Sequence, residues 1–225
     1  MNKTKWILAL IACVLIGLTV YAVTAAQVTV TFYSDNGTVI KVDKVRKHSA
    51  AEPPNDPHLT YGCIFKSWDK DLRSVTRSMD VHPVFEQVTD KTNVFAISGT
   101  YGKPGDSVFV PVALCGQVNT VGFDLTISYD ADALELESIF DEDGDVVFNT
   151  ETPGIIRCNF AGVKNLEADM DICKLKFTVL AKTGEVPVSI EITSIYRLKA
   201  PDDAESDEMI VPDYEKIDGT IYVLS

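Results

Sequence analysis

The residues best equipped for chemistry are an acidic run, Asp141-Glu142-Asp143-Gly144-Asp145, three histidines and five cysteines. Counted from Asp141, an EF-hand calcium loop wants Gly at the sixth position and Glu at the twelfth. The chain has Val146 and Thr152 there, so the run reads as an acidic turn and no metal site is expected. His48, His58 and His82 all fall in the first ninety residues, far from any Ser or Cys motif such as G-x-S-x-G, and a hydrolase triad has no support. No phosphate loop or dinucleotide fingerprint is present. Cys63, Cys115, Cys158 and Cys173 lack the C-x-x-C or His-rich spacing of a zinc site. Four cysteines allow three pairings. Cys158 and Cys173 share the apolar parity of their strands, which fits buried free thiols as well as a disulfide. Carboxylate pairs for glycoside hydrolysis meet only across a cleft, and a sandwich of short strands leaves little room for one. A second acidic run, residues 202–208, reads as a solvated loop. The balance points away from catalysis, with no catalytic residues and no cofactor, and toward a binding module.

Lys3 and Lys5 precede 18 residues without a charge, Trp6 through Val23, and the next charge is Asp35. Residues 1–26 therefore read as a signal peptide or a signal anchor. The run is long enough to cross a bilayer as a hydrophobic helix. Val23-Thr24-Ala25 or Thr24-Ala25-Ala26 would equally suit a signal peptidase. Leu10-Ile11-Ala12-Cys13 has the form of a lipobox. Val14-Leu15-Ile16 continues the apolar run, however, so Cys13 is read as one more small apolar residue. Lysines on the N-terminal side predict that everything after residue 27 lies outside the cell, extracellular or at the surface, with residues 6–23 as the membrane contact.

The charge is uneven. Residues 27–90 carry eight Lys and Arg against nine Asp and Glu, whereas residues 91–225 carry ten against 24. A surface that acidic repels phosphate backbones, so nucleic acid is excluded as a partner.

Two units are expected. In residues 27–88, Val28-Thr29-Val30-Thr31-Phe32 and Thr38 to Val45 alternate as strands around an Asn36-Gly37 hairpin turn. Pro53, Pro54 and Pro57 mark a loop, and Cys63 to Trp68 and Met79 to Phe85 return to strand. Val28 to Phe32, Phe65-Lys66-Ser67-Trp68-Asp69 and Val75 to Val81 together resemble the Listeria–Bacteroides (internalin B-type) repeat. The resemblance implies a small β-grasp-like unit of a surface protein, with Trp68 in its core.

Residues 93–225 predict many short strands and hence a jelly-roll-like antiparallel β-sandwich, the whole protein being all-β dominated. Pro104-Gly105-Asp106 is a tight turn. Pro111 lies in a strand and lacks a ladder donor, so that strand should be at an edge or broken. Val121, Phe123, Leu125, Ile127 and Tyr129 alternate with Gly122, Asp124, Thr126 and Ser128, giving one apolar face. Burying those five side chains at up to ~1.5–3 kcal/mol each makes this a central core strand. Ile156, Cys158 and Phe160 share inward parity, as do Cys173, Leu175, Phe177 and Val179.

The order and spacing of Gly102-Lys103-Pro104-Gly105-Asp106, of Val121 to Asp130, of Ile155 to Gly162, of Leu175 to Val179 and of Ile217 to Val223 resemble the cohesin domain of cellulosome scaffoldins. The resemblance implies a cell-surface module that binds dockerin-bearing proteins, such as polysaccharide-degrading enzymes, on one flat sheet face. It places the docking positions on Gly122, Asp124 and Thr126 of one strand, on Arg157, Asn159 and Ala161 of another, and on Met209 and Val211 before the last strand. Calcium is then expected in the dockerin partner and not here. The other reading is a surface adhesin or carbohydrate-binding module, contacting cell-surface components or polysaccharide.

Overall fold

A computed structural model of the chain describes residues 26–54, 63–88, 91–116, 118, 120–141, 144–162, 166, 170–197 and 213–224. The segment expected to be a signal or anchor helix, and Met209 and Val211, lie outside the described residues. Among the described residues no helix is long and apolar enough to cross a membrane.

In the first unit, β1 (Gln27–Tyr33) and β2 (Val39–Arg46) form a hairpin closed at Asn36-Gly37. The interior is set by alternation, with Val28, Val30 and Phe32 of β1 all buried. β3 (Cys63–Trp68) follows, and then the stretch expected as one strand is split at His82 into β4 (Met79–Val81) and β5 (Pro83–Gln87). β4 adds to β1 in parallel, giving the order β2-β1-β4, while β5 turns away to pair with β3. Trp68 sits in the core as expected, 4% exposed, with Phe32 and Phe65 edge-on to it at 5.2 and 5.5 Å. The helix of a β-grasp is not among the described residues.

The second unit is a two-layered sandwich. Its strands are β6 (Val94–Ile97), β7 (Thr100–Gly102), β8 (Ser107–Cys115), β9 (Gly122–Tyr129), β10 (Leu134–Phe140), β11 (Val147–Asn149), β12 (Ile155–Ala161), β13 (Met170–Val179), β14 (Gly184–Tyr196), β15 (Glu215–Ile217) and β16 (Gly219–Val223). One sheet has the order β10-β13-β8-β6-β15, the other β11-β12-β9-β14-β16-β7. Both terminal segments serve both sheets. The chain passes from β6 to β7 through Ser98-Gly99, and from β15 to β16 through Asp218. The pairings this creates, β15 with β6 and β16 with β7, are parallel. The antiparallel expectation is therefore corrected at the two edges where the terminal segments meet.

The core between the sheets holds Phe95, Val110, Phe123, Leu125, Ile127, Ile156, Leu175, Phe177 and Ile190, all nearly inaccessible. Phe123, Leu125 and Ile127 are fully inside, while Val121 and Tyr129 are half-buried at the two ends of β9. β8 is neither an edge strand nor broken at Pro111; it runs through the middle of its sheet. The proline is tolerated because β6 stops opposite Val112, so no ladder donor is wanted at Pro111, whose carbonyl accepts from Ser98 N–H at 3.0 Å. Cys158 and Cys173 are buried free thiols, which decides the alternative left open by sequence for those two, and Cys115 is buried as well. Burial pushes the Cys158 thiol up to about 12 and also raises Cys173, where the neighbouring Cys158 adds to the effect.

The two units share a junction. Gly99 N–H donates to the Phe65 carbonyl at 3.0 Å, and a Cβ on Gly99 would come within 2.2 Å of the Lys66 carbonyl oxygen. Only glycine lets the two backbones approach this closely. Trp68 N–H donates to the Tyr101 hydroxyl at 3.0 Å, and Leu224 is buried in the core of the first unit. Ile64 and Val88 pack over Val94, Ala96, Ala113 and Cys115, the outward residues of β6 and β8. An ion pair joins Glu52 to Lys103; it holds the Glu52 carboxyl below its ordinary value and raises the Lys103 amine.

Candidate functional site: the outer face of the six-stranded sheet

Along β9 and β12 the residues that alternate with the core point out of the sandwich. Register aligns them in rows with their neighbours. One row reads Asn149, Arg157, Thr126, Glu191 across β11, β12, β9 and β14. The next reads Val147, Asn159, Asp124, Ser194. A third reads Ala161, Gly122, Tyr196. Of the positions expected from sequence, Asp124, Thr126, Arg157, Asn159 and Ala161 thus lie together on one flat face. Arg157, Asn159 and Ala161 are exposed; Asp124 and Thr126 are half-buried.

Asp124 is the centre of a network. The Tyr196 hydroxyl donates to Asp124 Oδ2 at 3.1 Å, and Asn159 Nδ2 donates to Asp124 Oδ1. A carboxylate has room for about four hydrogen bonds, so Asp124 keeps lone pairs free for a donor arriving from solvent. The two neighbours fix its rotamer, which lowers the ordering cost of any such contact.

Gly122 is corrected. It was expected as an outward docking position, yet it is buried. A Cβ there would meet the Phe160 carbonyl oxygen at 2.8 Å and Tyr196 Cδ2 at 3.2 Å. The Tyr196 ring lies over the glycine, as an aromatic does when it covers a strand position with no side chain of its own. Gly122 supplies the space that lets Tyr196 reach Asp124.

The face has members that sequence reasoning missed. Val147 stands beside Asn159 and is 68% exposed, the most exposed large apolar side chain among the described residues. Tyr196, Ser194 and Glu191 come from β14, whose outward parity resumes after an irregularity between Ile192 and Ser194. The alternation of residues 184–192 was a usable signal; the one-residue slip that returns Ser194 and Tyr196 to the outer face was not. Beyond β14 the face falls into a groove of about 430 Å³ lined by Thr126, Ser128, Ser189 and Glu191 on one side and by Tyr214, Glu215 and Lys216 on the other. Among the described residues no cluster of His, Cys, Asp and Glu could hold a metal ion.

Chemically the face is a shallow platform. It has a preset carboxylate, an exposed guanidinium, an amide and an apolar margin at Val147, without an enclosed cavity. Such surfaces suit a macromolecular partner more than a small substrate.

The family model for the cohesin domain matches residues 94–211, more than half of the chain. Among solved structures, the seventh type I cohesin of ScaB from Pseudobacteroides cellulosolvens is 22% identical, covering 59% of this chain and 92% of that one with a TM-score of 0.50. The OlpA cohesin of Clostridium thermocellum, solved with the dockerin Doc918, is 18% identical over 60% of this chain and 100% of that one, with a TM-score of 0.49. A non-cellulosomal cohesin of the archaeon Archaeoglobus fulgidus is also 18% identical, over 60% of this chain and 92% of that one, with a TM-score of 0.47. A curated relative, the UDP-N-acetylmuramoyl-L-alanyl-D-glutamate--2,6-diaminopimelate ligase of Clostridioides difficile, is 28% identical over 148 residues. That stretch is 64% of this chain but 27% of the ligase, so the chain spans about a quarter of that protein's length.

Proposed function

Since the chain belongs to the cohesin family, we propose that it captures a dockerin-bearing protein on the outer face of β11, β12, β9 and β14. A cohesin domain is a protein-interaction module, and the chain is not an enzyme. The ligase relative does not alter this, because the shared stretch is a small part of that protein.

The observation that carries the reading is Asp124, held between Asn159 and Tyr196 at the middle of a flat polar platform. Interfaces concentrate affinity in a few central groups surrounded by contacts that exclude water. Here Asp124 is the central acceptor, Arg157 and Asn159 are polar anchors, Thr126 and Ala161 are flat contact surface, and Val147 is the apolar margin. Met209 and Val211 remain proposed contacts on sequence alone. Calcium belongs to the partner, whose folding would depend on it.

The proposal includes export. The 18 uncharged residues from Trp6 to Val23, behind two lysines, support a segment that carries the rest of the chain across a membrane, whether it is later cleaved or retained. Residues 27–88 are proposed as a surface-protein repeat on their sequence pattern, without a catalytic role.

Affinity capture tests the reading. The chain is immobilised and exposed to the proteins its source organism secretes, with and without a calcium chelator. Recovery of dockerin-bearing proteins that chelation abolishes is the expected result. Capture that ignores the chelator, or recovery of no dockerin at all, would sink it.

A further inference from the structure

At the far end of the same sheet from β11 and β12, the two units flank a shallow, half-open cleft of about 230 Å³. Tyr222 of β16 alternates with the core residues Ile221 and Val223, so it faces outward. It stacks on Tyr101 with ring centroids 4.7 Å apart and planes 20° from parallel. Leu72 and Leu224 lie beneath the cleft, each 1% exposed, as core that supports the two rings.

The rim is polar and already ordered. Arg73 forks onto Asp71 through Nε at 3.0 Å and Nη2 at 3.2 Å. It also comes within 4.0 Å of Glu185, the register partner of Tyr222. The Arg73, Asp71 and Glu185 side chains are 41%, 62% and 58% exposed, so all three charged groups meet solvent at the rim of the cleft. Tyr101 accepts from Trp68 N–H, which leaves its own O–H as a donor. Burial, and then the neighbouring Tyr222, Glu185 and Asp71, raise its pKa and keep that proton in place.

We propose that this junction cleft binds a sugar unit of a neutral glycan. Three properties select that ligand. A pyranose has an apolar face of C–H groups and an edge of hydroxyls, matching an aromatic floor with a polar rim. Each hydroxyl both donates and accepts, and the rim offers both partners at once: the carboxylates of Asp71 and Glu185, the guanidinium of Arg73 and the Tyr101 O–H. The lining carries the three carboxylates of Asp69, Asp71 and Glu185 against the two cations Lys70 and Arg73, which disfavours phosphorylated or sulfated ligands. The volume lies below the roughly 300–1,000 Å³ usual for drug-sized ligands, so one ring is held and the remainder of the chain extends into solvent. The site uses residues of both units. Its residues are separate from those of the docking platform: Glu185 lies at the start of β14, whereas the platform uses Glu191, Ser194 and Tyr196 farther along that strand, together with β11, β12 and β9.

The test is retention of the full chain on insoluble cellulose, xylan, mannan and chitin, with dextran sulfate as the anionic control. At least one neutral polysaccharide is expected to retain it. Tyr222→Ala and Arg73→Gln should each weaken that retention by about tenfold, while Asp124→Arg leaves it unchanged. Arg73→Gln alters an exposed rim residue, so it reports on the site even if Tyr222→Ala unfolds. Failure of every neutral polysaccharide to retain the chain overturns the proposal. So does a preference for dextran sulfate, or full retention of Arg73→Gln. None of these outcomes depends on dockerin capture.

Discussion

Tyr196 and Asp124, 72 residues apart in the chain, meet through a hydroxyl-to-carboxylate hydrogen bond of 3.1 Å on the outer face of adjacent strands. The bond turns a strand-surface aspartate into a fixed acceptor. Replacing Asp124 by Ala is expected to lower dockerin affinity by about 30-fold, the cost of a central interface group at ~2 kcal/mol. Tyr196→Phe keeps the ring over Gly122 and removes only the hydroxyl. It should cost about 1 kcal/mol of stability and a smaller share of affinity. Titration calorimetry and thermal unfolding of the two variants check this. If Tyr196→Phe binds as poorly as Asp124→Ala, the ordering of their roles is wrong.

Gly122 permits that bond, and its replacement should be felt in stability before binding. In Gly122→Ala the new methyl meets the Phe160 carbonyl and the Tyr196 ring. Overpacking of this kind costs about 1–3 kcal/mol. Denaturant unfolding should show the loss, and the nuclear magnetic resonance signals of the Tyr196 ring should move. A variant as stable as the parent would mean that the ring does not rest on Gly122.

Gly99 makes the equivalent contact between the two units. Gly99→Ala places a carbon against the Lys66 carbonyl and must break the Gly99 N–H bond to Phe65. Hydrogen exchange at the amides of residues 64–68 is expected to accelerate, while the β9 and β12 amides stay protected. Unchanged exchange at 64–68 would argue against a fixed junction.

On the opposite sheet, Glu137 accepts from Lys176, Ser107 and Thr178 at 2.5–2.6 Å. The Lys176 bond, followed by those of Ser107 and Thr178, holds its carboxyl down to about 2. An unfolded glutamate titrates near ~4.3. Its contribution to stability is therefore complete above that value and disappears as the pH falls through about 2. Thermal unfolding from pH ~6 to ~2 should show Glu137→Gln lagging the parent at the upper end and converging with it at the lower. A gap that holds constant with pH would remove Glu137 from the account.

Much of this protein could be read from residue order. Alternation in β9, β12 and β13 assigned Phe123, Leu125, Ile127, Cys158, Phe160 and Phe177 to the interior, and Asp124, Arg157 and Asn159 to the surface. It did so because a pleated strand has a strict period of two and the water-facing side must be polar. The same order carried the family resemblance. What the linear pattern does not contain is which strands become neighbours. That β14 lies beside β9, so that Tyr196 shields Gly122 and holds Asp124, follows from long-range pairing and a one-residue slip that no local propensity encodes. Pro111 inside a central strand, two segments that cross between sheets, and a cleft shared by Tyr222 and Arg73 are likewise consequences of assembly. Each depends on contacts between residues far apart in sequence, and only the closed fold fixes those contacts.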